Sequence, residues 1–190
     1  TPEYVTEPSY DGGLANYLGR VCPLLAGNGH DVTVFVSSDR DETLQHEGVG
    51  IQRVLIKPLP IAWVNKSLRQ HLGAASQWLG QSWALNRACA REHRKCPFDL
   101  VQYASYTATG FFRLRAVPAV VRISSYEPSL QKAYGYPNTW ENRSRIWMER
   151  KAICRADAVF GPSRLIAGMV EGAVGRPVKV IESPFTLDAD

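Results

Sequence analysis

The feature that most constrains the fold is a pair of glycines followed by an amphipathic helix and then by a buried strand. Gly12 and Gly13 precede a stretch in which apolar residues recur every three or four positions, a spacing that predicts a helix with one apolar face. Gly27 and Gly29 supply the stop signals for that helix, and residues 32–35 then predict a buried strand. A helix that leads directly into a buried strand is typical of α/β domains.

The glycine pair is also the first candidate binding element. Because Gly12 and Gly13 have no side chains, backbone N–H groups can approach a ligand closely at the positive end of the helix. Such a position suits a phosphate or another anion, which makes Gly12, Gly13 and Leu14 candidates for an anion-binding turn. The alternative is an ordinary α/β connection in which the glycines only make turns.

Strands and helices alternate along the rest of the chain. Apolar runs and capping residues predict strands at 50–56, 99–103, 118–123, 158–160 and 178–181, and helices at 107–113, 140–154 and 163–172. Residues 64–94 predict one long helix or two in sequence. Asn138 and Ser163 are the expected N-caps of the last two helices. The alternation predicts an α/β fold with a doubly wound, mainly parallel, Rossmann-like sheet. Residues 1–4 resemble the tail of a strand, so we expect the first strand to be truncated or supplied by a neighbouring molecule.

The composition is that of an ordinary globular protein, with 190 residues, 45% hydrophobic, 21% charged and a net charge of +4. No apolar run approaches membrane-spanning length, and no motif for nucleic-acid binding accompanies the mild positive charge. The cysteines have neither CxxC spacing nor a histidine at ligand spacing, which predicts four reduced thiols and no metal site. Cys22 and Cys154 fall in helical patterns, where we expect them to be small core residues.

Two segments together resemble a known family. The Gly12–Gly13 loop and helix are followed by Gly-His-Asp-Val-Thr-Val at 29–34, and residues 149–163 contain a Glu-Arg helix, an Ala-Asp-Ala-Val strand and a Pro-Ser turn. This arrangement is similar to the amino-terminal half of bacterial glycosyltransferases of the GT-B fold, retaining family 4. Residues 178–188 then resemble the last strand and the linker into the second domain of such enzymes.

The resemblance implies a division into domains and a reaction. Residues 1–182 would form the Rossmann-like, acceptor-side domain, and residues 183–190 would begin the linker to a carboxyl-terminal, nucleotide-sugar-binding domain that lies outside this chain. The complete protein would be a hexosyltransferase-type enzyme that retains anomeric configuration, uses no metal or other cofactor, and acts on a carbohydrate or lipid-linked acceptor. This part alone is expected to be inactive. The expected location is cytoplasmic, with membrane-peripheral contact or an oligomer that covers the truncated sheet as further expectations.

The resemblance also assigns roles to residues. Gly12, Gly13 and Leu14 would face the donor. Ser124 or Ser125 stands where many relatives carry a histidine near the reaction centre, and Glu127 would serve as a base unless it is a solvated loop carboxylate. The expected acceptor contacts lie at strand ends and in the aromatic connection after the fourth predicted strand: Tyr103, Ser105, Arg122, Tyr126, Tyr134 and Ser163, the last of which is also a helix cap.

Other interpretations remain open at this point. A sugar-nucleotide epimerase shares the architecture, and a carbohydrate-binding module without catalysis would also fit. Trp63, Lys66, Arg69 and His71 would form either a lip for a lipid-linked acceptor or a solvated helix face. The Asp-Arg-Asp run at 39–41 resembles a metal motif of another glycosyltransferase fold, but we interpret it as a surface loop.

Overall fold

A computed structural model describes residues 1–8, 12–57 and 66–184, with the backbone alone for residues 66–72 and 74. The helices are α1 (Gly13–Gly27), α2 (Lys66–His93), α3 (Glu127–Ala133), α4 (Trp140–Arg155) and α5 (Arg164–Val174), with one 3₁₀ helix at Tyr106–Phe112 in this part of the chain. The strands are β1 (Thr33–Ser38), β2 (Glu42–His46), β3 (Val49–Leu55), β4 (Val101–Ala104), β5 (Ala119–Arg122), β6 (Ala158–Gly161) and β7 (Lys179–Val180). The lip expected around Trp63 lies outside the residues whose side chains are described.

The strands form two sheets, in the orders β1-β3-β2 and β4-β5-β6-β7. Every pairing is parallel except that of β2 with β3. The predicted mainly parallel α/β architecture is therefore confirmed. The sequence analysis missed β2, because its residues are mostly polar and exposed. Glu47 and Gly48 both have positive φ, of 50° and 77°, and so provide the two-residue turn that joins β2 to β3 as a hairpin.

The apolar face of α1 covers the first sheet, as its periodicity predicts. Leu14, Tyr17 and Leu18 share a buried cluster with residues of β1 and β3 such as Val36 and Ile51. Burial of large apolar side chains contributes about 1.5–3 kcal/mol each, which is what holds this helix on the sheet. A second cluster forms beneath β5 and β6, where helices α4 and α5 cover the other sheet.

A slot lies between β1, an edge strand of the first sheet, and β4, an edge strand of the second. The slot is a cavity of about 560 Å³ lined by β1, β4, α1 and α2. At its edge, the amino group of Thr1 donates to the Phe35 carbonyl at 2.7 Å, and the Ser37 amide donates to the Thr1 carbonyl at 3.1 Å. Thr1 thus bonds to β1 as a residue of a parallel strand does.

Several helix boundaries differ from the expectations. The segment predicted as a helix at 107–113 is a 3₁₀ helix in which Thr107 and Ala108 have left-handed φ of 56° and 51°, so no α-helix can form there. The N-cap of α4 is Thr139, whose hydroxyl accepts from the Asn142 amide at 3.2 Å, and not Asn138. Ser163 caps α5 as predicted, accepting from the Ile166 amide at 3.4 Å.

Within the described residues, all four cysteines are free, in agreement with the expected reduced thiols. Cys22 is buried as expected, whereas Cys154 is exposed, because it lies on the solvent side of α4 rather than on its core face. In the same residues no cluster of His, Cys, Asp or Glu is arranged to hold a metal ion. Nor is any helix of the described chain both long and apolar enough to cross a bilayer.

Candidate functional site

The candidate site lies at the carboxyl ends of the parallel strands. Helix α1 ends where β1 begins, so α1 runs opposite to the strands and its first turn lies at their carboxyl edge. Arg122 is the last residue of β5, and its guanidinium lies 3.7 Å from the ring centroid of Tyr17 on α1. This contact brings the glycine turn and the end of β5 to the same edge, where ligands bind in doubly wound sheets.

The glycine turn is packed against an acidic side chain. Gly12 precedes α1 as its N-cap, and the Ala15 amide in the first turn donates to Glu3 Oε1 at 3.3 Å. A Cβ on Gly12 would lie 2.2 Å from that same oxygen, whereas a Cβ on Gly13 would meet nothing within 4 Å. A side chain at position 12 would therefore have to displace the Glu3 carboxylate, which is the far end of a flexible side chain. The side chain of Leu14 is buried in the core, so only its backbone can face a ligand.

The buried side chain of Ser105 positions the loop after β5 through two hydrogen bonds. The Ser105 hydroxyl donates to the Ser125 carbonyl at 2.8 Å and accepts from the Ser124 amide at 3.2 Å. Because Ser105 is fully buried, it positions the loop rather than presenting a hydroxyl at the surface. The Ser124 hydroxyl is buried and has no hydrogen-bond partner among the described residues. Its hydrogen-bonding capacity is therefore unused within the described residues, unlike that of the Ser105 hydroxyl.

Glu127 lies inside the protein. It opens α3, an element that the sequence analysis did not predict, and is 5% exposed. Its carboxylate accepts from Gln131 Nε2 at 2.9 Å and pairs with Arg145 Nε at 3.3 Å. The alternative of a solvated loop carboxylate is therefore wrong. The role of Glu127 as a base stays a prediction, with the carboxylate already engaged by two partners.

Sequence reasoning missed Glu149 as a functional candidate. It is 1% exposed on α4, and its Oε2 accepts from the Glu127 amide at 2.8 Å. Desolvation by burial, reinforced by the nearby Glu127 carboxylate, raises the pKa of Glu149 to about 8 although the hydrogen bond from the Glu127 amide opposes this. The signal was present in the sequence, because Glu149 shares the helical face of Ala152, Ile153 and Ala156.

The aromatic candidates fall into two groups. Tyr103 is buried, and its hydroxyl donates to Asn86 Oδ1 at 2.8 Å and accepts from the Leu114 amide at 3.1 Å. Tyr126 is also buried, with its hydroxyl accepting from Arg150 Nε at 3.3 Å. Tyr134 is 69% exposed and stacks on Tyr136 with ring centroids 5.7 Å apart. Of the three, Tyr134 alone presents its ring to solvent.

The remaining candidates differ in how free they are to meet a ligand. Ser163 uses its hydroxyl as the cap of α5. Arg122 is 5% exposed, lines the slot, and donates from Nη2 to the Ser183 hydroxyl at 3.4 Å. Burial lowers the pKa of Arg122 from its ordinary value, and the facing Tyr17 opposes that shift. The structure therefore brings Gly12, Arg122 and Ser124 to one edge.

Comparisons with known proteins agree with this architecture. Residues 12–184 match the sequence profile of a family described as glycosyl transferase 4-like domain. A comparison with curated proteins finds no match for the chain.

Among solved structures, the chain is similar to sucrose-phosphate synthase from Thermosynechococcus elongatus, with a TM-score of 0.63 and 14% identity over 90% of this chain and 42% of that one. A second structure of the same protein gives a TM-score of 0.58 and 14% identity, covering 91% of this chain and 86% of that one. The chain spans 42% of the length of the first neighbour, and likeness at this identity concerns the fold. Since the family profile covers the site and both sheets, the chain belongs to the glycosyl transferase 4-like domain family.

Proposed function

We propose that this chain is the acceptor-side domain of a glycosyltransferase that moves a hexose from a nucleotide-sugar onto a carbohydrate or lipid-linked acceptor, with retention of configuration. The family match over residues 12–184 carries this proposal. It is supported by the geometry, because Arg122 at the end of β5 contacts Tyr17 of α1, so the first turns of α1 and the end of β5 lie at the same carboxyl edge. A second domain, joined through residues 183–190, would hold the nucleotide, and no metal would take part. The expected location is cytoplasmic or membrane-peripheral.

Each part of the edge has a task in this proposal. The backbone N–H groups around Gly12, Gly13 and Leu14 would stabilise negative charge on the departing diphosphate, at the positive end of α1. The unpartnered hydroxyl of Ser124 would hydrogen-bond a sugar hydroxyl, with Ser125 beside it. Tyr134 offers an exposed ring for stacking on a sugar. Tyr103, Ser105 and Tyr126 would act indirectly, by holding the loops that carry these groups.

The test is a transfer assay on the complete protein in which this chain occurs, with a panel of nucleotide-sugars and acceptors. We expect nucleotide release that depends on the acceptor, together with a glycoside product of retained configuration by NMR. The isolated chain, assayed in parallel, should release no nucleotide. Turnover by the isolated chain would contradict the two-domain proposal. Formation of an epimerised sugar without transfer would show that the complete protein is an epimerase and not a transferase.

A further inference from the structure

Two arginines in the described part of the chain are at least nine-tenths buried, and their surroundings differ. Arg53 is 9% exposed, and its Nε lies 2.8 Å from Glu7 Oε1. The same guanidinium pairs with Glu42 and donates to the Thr6 carbonyl at 2.8 Å. Its charge is therefore neutralised within the fold, as buried charges generally are.

Arg122 has no such counter-charge. Its guanidinium stacks on the Tyr17 ring at 3.7 Å and reaches the Ser183 hydroxyl at 3.4 Å, and no carboxylate of the described residues pairs with it. Because a guanidinium stays protonated in proteins, the charge cannot be removed by losing a proton. A buried cation without a counter-charge is unfavourable, and an anion that binds from outside would supply the missing counter-charge.

Arg122 lies where an anion in the slot could reach its guanidinium. Arg122 ends β5 and lines the slot, so its guanidinium lies at the carboxyl edge rather than deep under a sheet. Ser183 and Tyr17 take up only part of a group that carries five N–H donors in a planar fork. The free hydroxyl of Ser124 follows two residues later along the chain.

We propose that Arg122 binds a phosphate or carboxylate group carried by a substrate of this domain. The planar fork of arginine matches the oxygens of both anions and binds them through paired, charge-assisted hydrogen bonds. The identification of that substrate as a sugar rests on the proposed function, whereas the anion site itself does not. A phosphorylated sugar acceptor and the diphosphate of a nucleotide share this chemistry, and the test separates them.

The first measurement is calorimetric titration of the purified chain with inorganic phosphate, glucose 6-phosphate, glucose and UDP. We expect phosphate and glucose 6-phosphate to bind and glucose not to bind. Tighter binding of glucose 6-phosphate than of UDP would assign the site to the acceptor, and the reverse order would assign it to the donor. Absence of binding by every anion would overturn the proposal.

Variants of the chain test whether Arg122 is the group responsible. Arg122→Gln should weaken anion binding by about tenfold or more, because a charge-assisted hydrogen-bond pair is lost. Arg122→Lys should bind with intermediate affinity, since it keeps the charge without the fork. The matched control is Arg143→Gln, which removes the same charge from an exposed position and should bind like the original chain. Equal weakening in both glutamine variants would contradict the proposal.

Thermal unfolding provides a second measurement, which distinguishes a ligand-binding arginine from one that only stabilises the fold. Without ligand, Arg122→Gln should unfold at the same temperature as the original chain or a higher one, because it removes an unpaired buried charge. Arg53→Gln should lower the unfolding temperature, because it leaves the Glu7 carboxylate without its arginine partner, whereas Glu42 keeps Arg40. A fall in both variants would identify Arg122 as a structural residue.

The outcome is independent of the transfer assay. Transfer to a neutral acceptor by the complete protein, without anion binding at Arg122, would overturn this inference and leave the proposed function intact. Arginine-dependent anion binding without any transfer would do the opposite.

Discussion

Burial changes the chemistry of Glu149 more than its sequence position suggests. Its carboxyl group accepts a hydrogen bond from the Glu127 amide and interacts with the Ser105 hydroxyl. It therefore contacts the end of the loop at 124–127 and also the serine that positions this loop. Arg150 is the nearby cation, and it does not outweigh desolvation. The proton on Glu149 is therefore linked to the arrangement of the loop that carries the candidate serines.

This linkage predicts a pH-dependent stability. A carboxyl whose pKa is raised by folding binds its proton more tightly in the folded chain, so its contribution is complete below its ordinary pKa of 4.5 and is lost as the pH rises through about 8. Glu149→Gln keeps the shape and cannot ionise. In urea unfolding at about pH 9 it should be more stable than the original chain by roughly a few kcal/mol, and the difference should shrink near pH 5.

The exposed Glu182→Gln is the control for that measurement, because it makes the same chemical change without burial. Its profile should follow that of the original chain. Parallel profiles for Glu149→Gln and the original chain would show that the Glu149 proton does not affect folding.

For individual residues, the sequence predicted which side-chain types lie at the strand ends better than it predicted which of them form hydrogen bonds within the fold. Ser124 and Ser105 were both candidates because both follow strands, yet only the hydroxyl of Ser124 is left unpartnered among the described residues. Which hydroxyl points inward depends on neighbours 20 residues or more away in the chain, such as Glu149 on α4. Local spacing carries no information about those neighbours.

Among the elements, the 3₁₀ helix depends on one buried polar network. Asn86 of α2 donates to the Thr109 carbonyl at 2.9 Å, and Ser82 donates to the same carbonyl at 2.8 Å. Tyr103 joins this network through Asn86 and reaches Leu114 just after the 3₁₀ helix. These bonds fix a segment whose Thr107 and Ala108 adopt unfavourable left-handed conformations.

Tyr103→Phe should therefore destabilise the chain by about 1–3 kcal/mol, because it leaves Asn86 Oδ1 and the Leu114 amide without their partner. Denaturant unfolding measures the change. Tyr134→Phe removes the same hydroxyl from an exposed ring and should alter stability little. If the two variants were equally stable, the Tyr103 hydroxyl would have no structural role.

The presence of a helix could be predicted where the apolar repeat extends over many residues, whereas the residues at which helices begin and end could not. The spacing at 64–94 predicted one long helix or two in sequence, because many apolar repeats add to one signal, and the structure has the single helix α2. The short helix α3 begins within an aromatic, proline-containing connection that has no such repeat. The N-cap of α4 is Thr139, one residue after the expected Asn138, and local sequence cannot choose between them because both residue types are good N-caps.

For the whole molecule, the sequence pattern sufficed for the class of fold because alternation of strands and helices leaves few topologies. The edge of β4 and the part of the β1 edge that Thr1 leaves unbonded face the slot, and backbone groups on an unpaired edge invite another strand. An oligomer that covers these edges stays a prediction.

We expect the isolated chain to self-associate through the slot edges, with an apparent mass in sedimentation velocity that rises with concentration. Amides 101 and 105 bond toward β5, so the Gln102 amide points the other way, into the slot. Gln102→Pro should reduce association without breaking that ladder, because proline removes the slot-facing donor. A chain that stays monomeric at every concentration would refute this expectation.

The carboxylate of Glu3, seated on the first turn of α1, gives that turn an internal competitor. An anion that binds there carries the same sign of charge as Glu3 and competes with it for the Ala15 amide. The affinity of a ligand for this end of the helix is then the difference between its own interaction with the first-turn amides and that of the Glu3 carboxylate.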